Sequence, residues 1–200
     1  MSASEVLDSQ EVETPERLLL ARLRRGEPEA FEALVRAYQD RLYDFCVRML
    51  ADPEEALDVV QDVFVSAHQH LARFREDARL STWLYRIAKN HCLNRLKYLK
   101  RRGRGRSESY GEQEEGVLVR ALGSPLAPDA ALEAAREQAR VQEAISSLEP
   151  DARMLVVLRD IEGLSYEEIV DITELALGTV KSRLHRAREK LADVLGRLEE

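Results

Sequence analysis

Two groups of side chains in this 200-residue chain are of types that do chemistry on a polyanion. The first lies in Leu80 to Arg106, which holds no Asp or Glu yet carries Arg86, Lys89, Arg95, Lys97, Lys100, Arg101, Arg102, Arg104 and Arg106. Among these cations stand the single tryptophan, Trp83, with Tyr85, Asn90, Asn94 and Tyr98. Cations hold phosphates, aromatic faces stack on or wedge against bases, and side-chain amides reach base edges. The second group is Thr179, Lys181, Ser182, Arg183, His185, Arg186 and Arg188. A charge run by itself is often only a solvated face, so the elements that carry these residues must decide.

The chain as a whole is acidic, with a formal charge of -7, so both groups reverse the local sign. Acidity is compatible with nucleic-acid binding when the cations are segregated in this way. Charged residues make up 34% and aromatics only 6%, which suits helical cores of Leu, Ala and Val rather than a β-sandwich. Cys46 and Cys92 lie far apart with no CxxC or Cys/His ligand spacing, the usage of a reducing compartment without a disulfide framework. Residues 1–14 are polar and acidic, unlike a signal peptide, and the apolar runs are too short to span a bilayer. These features lead to the expectation of a cytoplasmic protein with no membrane insertion, no metal and no cofactor.

Helix signals run through the chain, and no alternation of strand type interrupts them. Residues 1–13 are expected to be a disordered tail. Thr14-Pro15 opens a short helix that ends at Gly26. Glu27-Pro28 opens a longer one, with Phe31, Leu34, Val35, Tyr38, Leu42, Phe45 and Met49 at helical spacing and Cys46 as a buried thiol. Asp52-Pro53 with Glu55 caps a third, expected to reach Phe74 with Ala56, Val60, Val63, Phe64, Ala67 and Leu71 inward. Its other face shows Asp58, Gln61, Asp62 and Gln69. Ser81 or Thr82 is expected to cap the helix of the first cationic group, ending near Lys100. Residues 103–128, broken by glycine and proline and carrying Glu108, Glu112, Glu114 and Glu115, form a linker between two domains. Helices then follow from Pro128-Asp129 and from Glu149-Pro150, burying Met154, Leu155, Val157 and Leu158. Ser165 and Glu168 form a capping box, Leu175 to Gly178 a turn, and Thr179 is expected to cap a last helix with Val180, Leu184, Ala187, Leu191 and Leu195 on one face. The fold class is all-α, two small helical domains joined by a flexible linker.

A helix, a short turn and a basic helix make a helix-turn-helix, whose second helix enters the major groove and reads base edges with its first turns. Arg183 and Arg186 suit guanine or phosphate, and the helix N-terminus at Thr179 and Val180 favours a phosphate. No Gly-rich phosphate loop, HExxH, paired catalytic acids or activated nucleophile appears, so an enzyme is not expected. His68 and His70, two residues apart, point to different helix faces and do not chelate together.

The segments DVVQDVF, STWLYRIAKN with the basic run after it, and SYEEI with GTVKSRLHRAREKL closely resemble bacterial RNA polymerase sigma factors of the sigma-70 family, extracytoplasmic-function (ECF) subfamily. The resemblance covers about residues 15–102 and 129–195. It implies sigma domain 2 in residues 14–102, the linker in 103–128 and sigma domain 4 in 129–200. It implies binding to the β′ clamp and β subunits of core RNA polymerase through Asp58, Gln61, Asp62, Phe64 and Val65. It implies contact with the −10 element of promoter DNA through Trp83, Arg86, Lys89, Asn90, Asn94 and Lys97, and with the −35 element through Thr179, Lys181, Ser182, Arg183, His185 and Arg186. Recognition and strand opening for transcription initiation, an anti-sigma factor as partner, and linker glutamates that mimic RNA charge are further implications. No sigma domain 3 and no C-terminal sensory extension is expected. In one respect the chain departs from the pattern: Glu174 and Ala176 stand where many members have Gly and Pro in the helix-turn-helix turn. The alternative is a stand-alone helix-turn-helix regulator, which needs a receiver or dimerisation domain that residues 15–100 do not suggest.

Overall fold

The computed structural model describes residues 15–71, 74, 79–103 and 128–199. The expected tail, the bulk of the linker with its glutamates, and residues 75–78 lie outside the described residues. Among the described residues there are eight α-helices and no strand. They are α1 (Pro15–Arg24), α2 (Pro28–Leu50), α3 (Pro53–His70), α4 (Leu80–Gly103), α5 (Pro128–Ser146), α6 (Pro150–Val156), α7 (Tyr166–Thr173) and α8 (Leu177–Glu199). A π-helical turn, Val157–Ile161, continues α6.

Local chemistry explains most boundaries. Asp52 caps α3 by accepting from the backbone N–H groups of Glu54 (2.9 Å) and Glu55 (3.1 Å), with Pro53 following it. That helix stops at His70, short of the expected Phe74. At the end of α2, Ala51 adopts the left-handed conformation (φ 56°) and its N–H donates to the Val47 carbonyl at 2.8 Å. The start of α4 corrects the expectation of a Ser81 or Thr82 cap. The helix begins at Leu80, whose N–H donates to the carboxylate of Glu16 on α1 at 2.6 Å, and Thr82 is buried. An acid from a remote helix thus satisfies an orphan donor and meets the positive end of the helix dipole.

Packing follows from the apolar stripes. Leu34, Leu42, Phe45 and Met49 of α2 meet Ala56, Val59, Val63 and Ala67 of α3, and Leu80, Leu84, Ala88 and Cys92 of α4 fill the space between. Phe45 and Tyr85 pack edge to face, with ring centroids 5.4 Å apart. In the C-terminal half, Ile145, Leu155, Leu158, Ile169, Ile172, Val180 and Leu184 form the equivalent centre. Both halves belong to one contiguous apolar cluster. Polar ties cross between them as well. The guanidinium of Arg153, only 8% exposed, donates to the Met49 carbonyl at the end of α2, to the Ser146 carbonyl at the end of α5 and to the Leu148 carbonyl just after it. Gln142 donates to the Arg48 carbonyl at 3.3 Å. Two negative helix ends therefore converge on one buried cation, and burial pulls the arginine below its usual range.

Cys46 and Cys92 face each other across α2 and α4, sulfur to sulfur 3.7 Å, and both are fully buried free thiols. The hydrogen bond with Cys92, then burial, push the Cys46 thiol far above the ordinary cysteine range. Neither thiol should react with an Ellman-type reagent at neutral pH while the chain is folded, and both should react in denaturant. Rapid modification of the native protein would show that the α2–α4 seam is open.

Candidate nucleic-acid interface

Helix α4 presents two kinds of face. Leu80, Leu84, Tyr85, Ala88 and Cys92 point into the core, while Asn90, Asn94, Lys97, Tyr98 and Arg101 stand exposed three and four residues apart. No acidic side chain interrupts this second row. Trp83 sits at the margin, half-buried, its ring tilted against Phe74 at 5.1 Å. An indole held at the edge of a core is placed to abut a base without losing its support.

Four residues of the stretch have other occupations. Tyr85 is 1% exposed and its hydroxyl donates to the Glu162 carboxylate, which burial raises above the usual carboxylate range. Arg95 pairs with Glu55 and, at 2.9 Å, with Asp58, so it ties α4 to α3. Arg86 donates to the Asp171 carbonyl, and the Lys89 ammonium donates to the Ile172 carbonyl at 2.9 Å. Partial burial holds Lys89 below the ordinary lysine range. Of the −10 residues expected from the sequence, Asn90, Asn94 and Lys97 are open to solvent, whereas Arg86 and Lys89 face the end of α7.

Between the ends of α3, Leu57, Asp58, Gln61, Asp62, Val65, His68 and Gln69 are exposed and form a polar and apolar stripe. Val65 is 56% exposed and Leu57 52%. Phe64, expected on the inward face and also among the polymerase contacts, is 8% exposed and belongs to the core, which fits the first expectation and not the second. The helical period explains this: Phe64 follows Val60 and precedes Ala67 on the inward side, and Val65 follows Leu57 and Gln61 on the outward side. Leu57 was missed from sequence, although its spacing to Gln61 and Val65 was the available signal.

The helix-turn-helix pair is α7 and α8. The Ser165 hydroxyl accepts from the Glu168 N–H at 3.1 Å, and the Glu168 carboxylate accepts from the Ser165 N–H at 2.8 Å, completing the expected capping box. Glu174 ends α7 in the left-handed conformation (φ 61°), its N–H donating to the Val170 carbonyl at 2.7 Å. Because α8 begins at Leu177, Thr179 lies inside its first turn and does not cap it, which corrects that expectation. Val180, Leu184 and Ala187 are buried, and Lys181, Ser182, Arg183, His185 and Arg186 are exposed. The π-helical turn supplies a clamp that sequence spacing did not suggest. Asp160 receives two hydrogen bonds from Arg188, fixing α8 against it, one of them 3.0 Å long. Arg159 and Lys181 both lie over the Tyr166 ring, at 4.7 and 5.4 Å.

Among the described residues no group of His, Cys, Asp or Glu could hold a metal ion. No helix among them is long and apolar enough to cross a membrane.

Comparison with known proteins marks two blocks of the chain. Residues 34–102 match the family described as Sigma-70 region 2, and residues 138–191 match Sigma-70, region 4. The chain is 38% identical to the RNA polymerase sigma-H factor of Pseudomonas aeruginosa over 180 residues, covering 88% of this chain and 92% of that one. It is 36% identical to the ECF RNA polymerase sigma-E factor of Escherichia coli, covering 88% and 92%. Among solved structures, CnrH in complex with the cytosolic domain of CnrY superposes with a TM-score of 0.67 at 26% identity, covering 91% of this chain and 97% of that one.

Glu174 invites a stability test. A non-glycine residue in the left-handed region costs about 1 kcal/mol, so Glu174→Gly should raise the melting temperature by roughly 2–4 °C. Thermal unfolding followed by circular dichroism measures it; a lowered melting temperature would mean that the glutamate stabilises the turn by more than its backbone costs.

Proposed function

This chain belongs to the ECF subfamily of the sigma-70 family of RNA polymerase sigma factors, and we propose that its exposed faces divide that role among named residues. It binds core RNA polymerase, recognises −35 and −10 promoter elements and promotes strand opening for transcription initiation. Residues 14–102 serve as domain 2, residues 129–200 as domain 4, and residues 103–128 as the linker. One observation carries the assignment of DNA surfaces. In a chain of net charge -7, α4 contains no acid, and Leu177 to Arg188 of α8 contains none. One helix and the first three turns of another, free of acidic side chains, are what a protein offers to phosphates.

Asn90, Asn94 and Lys97 on α4, with Trp83 at the margin, face the opened −10 strand, joined by Arg86 and Lys89. Unstacking a base step costs a few kcal/mol, which stacking and cation contacts offset. Lys181, Ser182, Arg183, His185 and Arg186 face the −35 duplex, and the backbone at Thr179 offers a helix N-terminus to a phosphate. The α3 stripe of Asp58, Gln61, Asp62 and Val65, extended by Leu57, meets the β′ clamp, with β as a further core contact. Asp58 exchanges Arg95 for the polymerase in doing so. The chain acts without catalysis of its own, and an anti-sigma factor that covers the polymerase-binding surfaces is its regulatory partner.

Run-off transcription from a library of promoter fragments with core polymerase tests this reading. Duplex binding without core-dependent initiation would favour the stand-alone regulator. Trp83→Ala should slow open-complex formation more than closed-complex binding, as read by permanganate footprinting beside gel shift. Equal loss in both would remove the wedge role. Arg183→Ala and Arg186→Ala should each weaken duplex binding, and a phosphate contact would show as a salt slope reduced by about one. Leu57→Asp with Val65→Asp should lower affinity for core polymerase while leaving duplex binding unchanged.

A further inference from the structure

We propose that Glu16 and Arg24 of α1 are positioning residues for strand opening: they fix Leu80 and Phe74, which flank the approach to α4, and so hold Trp83 rigid. The inference rests on the strand-opening role given to Trp83 above. The need for an outside anchor follows from the composition of α4. The first N–H groups of a helix lack partners within it, and an acid in the first turn ordinarily meets them and the positive end of the dipole. Helix α4 has no acid in its first turn, and Arg79 before it has no side-chain acceptor. Glu16 supplies one from α1, accepting from the Leu80 N–H at 2.6 Å.

The other end of α1 acts in the same way. Arg24, in its last turn, donates to the Phe74 carbonyl at 3.1 Å. Glu16 and Arg24 stand about 12 Å apart along the helix axis, so α1 is a brace between Phe74 and Leu80. Phe74 is the ring on which the Trp83 indole rests, centroids 5.1 Å apart and planes inclined at 55°. Trp83 is also tied to the backbone beside Leu80, its N–H donating to the Arg79 carbonyl at 3.1 Å. Moving either anchor therefore moves the indole or the ring beneath it. The brace is itself fastened: Leu20 and Leu23 are buried in the core, and Arg22 and Arg25 donate to the Glu27 carboxylate at the start of α2, at 2.7 and 2.8 Å. An aromatic that abuts a base works best when already ordered, because a loose one gives up its freedom at the moment of opening.

The single tryptophan makes one readout direct, since indole emission comes from Trp83 alone. Glu16→Ala and Arg24→Ala should each raise acrylamide quenching of that emission in the full-length chain, with far-UV circular dichroism unchanged. Opening is then timed with core polymerase on two templates carrying one promoter found by run-off. One is an intact duplex; the other is mismatched on the template strand across the −10 element, so that it is already open. Both variants should open the intact duplex about fivefold more slowly, the cost of ordering one large side chain, and initiate on the mismatched template at the wild-type rate. Glu16→Gln, which keeps an acceptor oxygen, and Arg24→Lys, which keeps a donor, should restore most of the rate. Equal loss on both templates, or no loss on the intact one, would overturn the inference. Should Glu16→Ala fail to fold, Glu16→Asp withdraws the acceptor by one methylene and is read in the same way. Trp83→Ala separates this inference from the reading beneath it. If Trp83→Ala leaves opening unchanged, the role of Trp83 falls and positioning with it; if it slows opening and the α1 variants do not, positioning alone falls. Adding Glu16→Ala to Trp83→Ala should cost nothing further, because Glu16 acts through that indole, and an additive loss would defeat the proposal.

Discussion

Everything in this molecule depends on how one long helix without a single acid is accommodated. Helix α4 runs from Leu80 to Gly103, and its fully buried apolar residues are few: Leu80, Leu84, Ala88 and Cys92, with Tyr85 beside them. They suffice because α2 and α3 enclose them on two sides. The cations on the remaining surface then need negative partners that are not on α4 itself. Glu55 and Asp58 of α3 supply one, through Arg95, and the end of α7 supplies the other. The docking of the C-terminal half is in this sense a consequence of the charge left over on α4.

The same solution recurs. Arg153 sits where α2 and α5 end and donates to the Met49 and Ser146 carbonyls. Buried or half-buried cations are costly unless their donors are satisfied, and helix C-termini provide oriented carbonyls without introducing a full charge that would itself need burying. A chain with many short helices has many such ends. It can therefore tie its halves together with polar contacts that other negative ligands are able to replace.

Several details were legible in the residues themselves. Asp52 before Pro53, and Ser165 with Glu168 three residues on, are local signals, and both caps form with the expected donors. Val180, Leu184 and Ala187 at helical spacing are buried, and the basic residues between them are exposed. Other positions misled. Phe64 and Val65 are adjacent apolar residues, and which one faces solvent depends on the phase of α3 against α2 and α4. Thr179 has the chemistry of a cap, yet the helix starts at Leu177 because the turn from Glu174 leaves α8 in register two residues earlier. Tyr85 stands among DNA-facing types and is taken by Phe45 and Glu162.

By itself the sequence determined the all-α class, the main helices, the two sigma-factor blocks and the segregation of cations onto two helices. Those properties arise from periodicity, caps and composition, which act over a turn or two of chain. Only the tertiary structure decided that Glu16 starts α4, that Glu162 latches onto Tyr85, and that Arg86 and Lys89 close the end of α7. These contacts join residues 64, 77, 85 and 83 positions apart, respectively. No local rule reaches so far, because a side chain's partner at that range is set by which helices pack together, and packing is a property of all the apolar stripes at once.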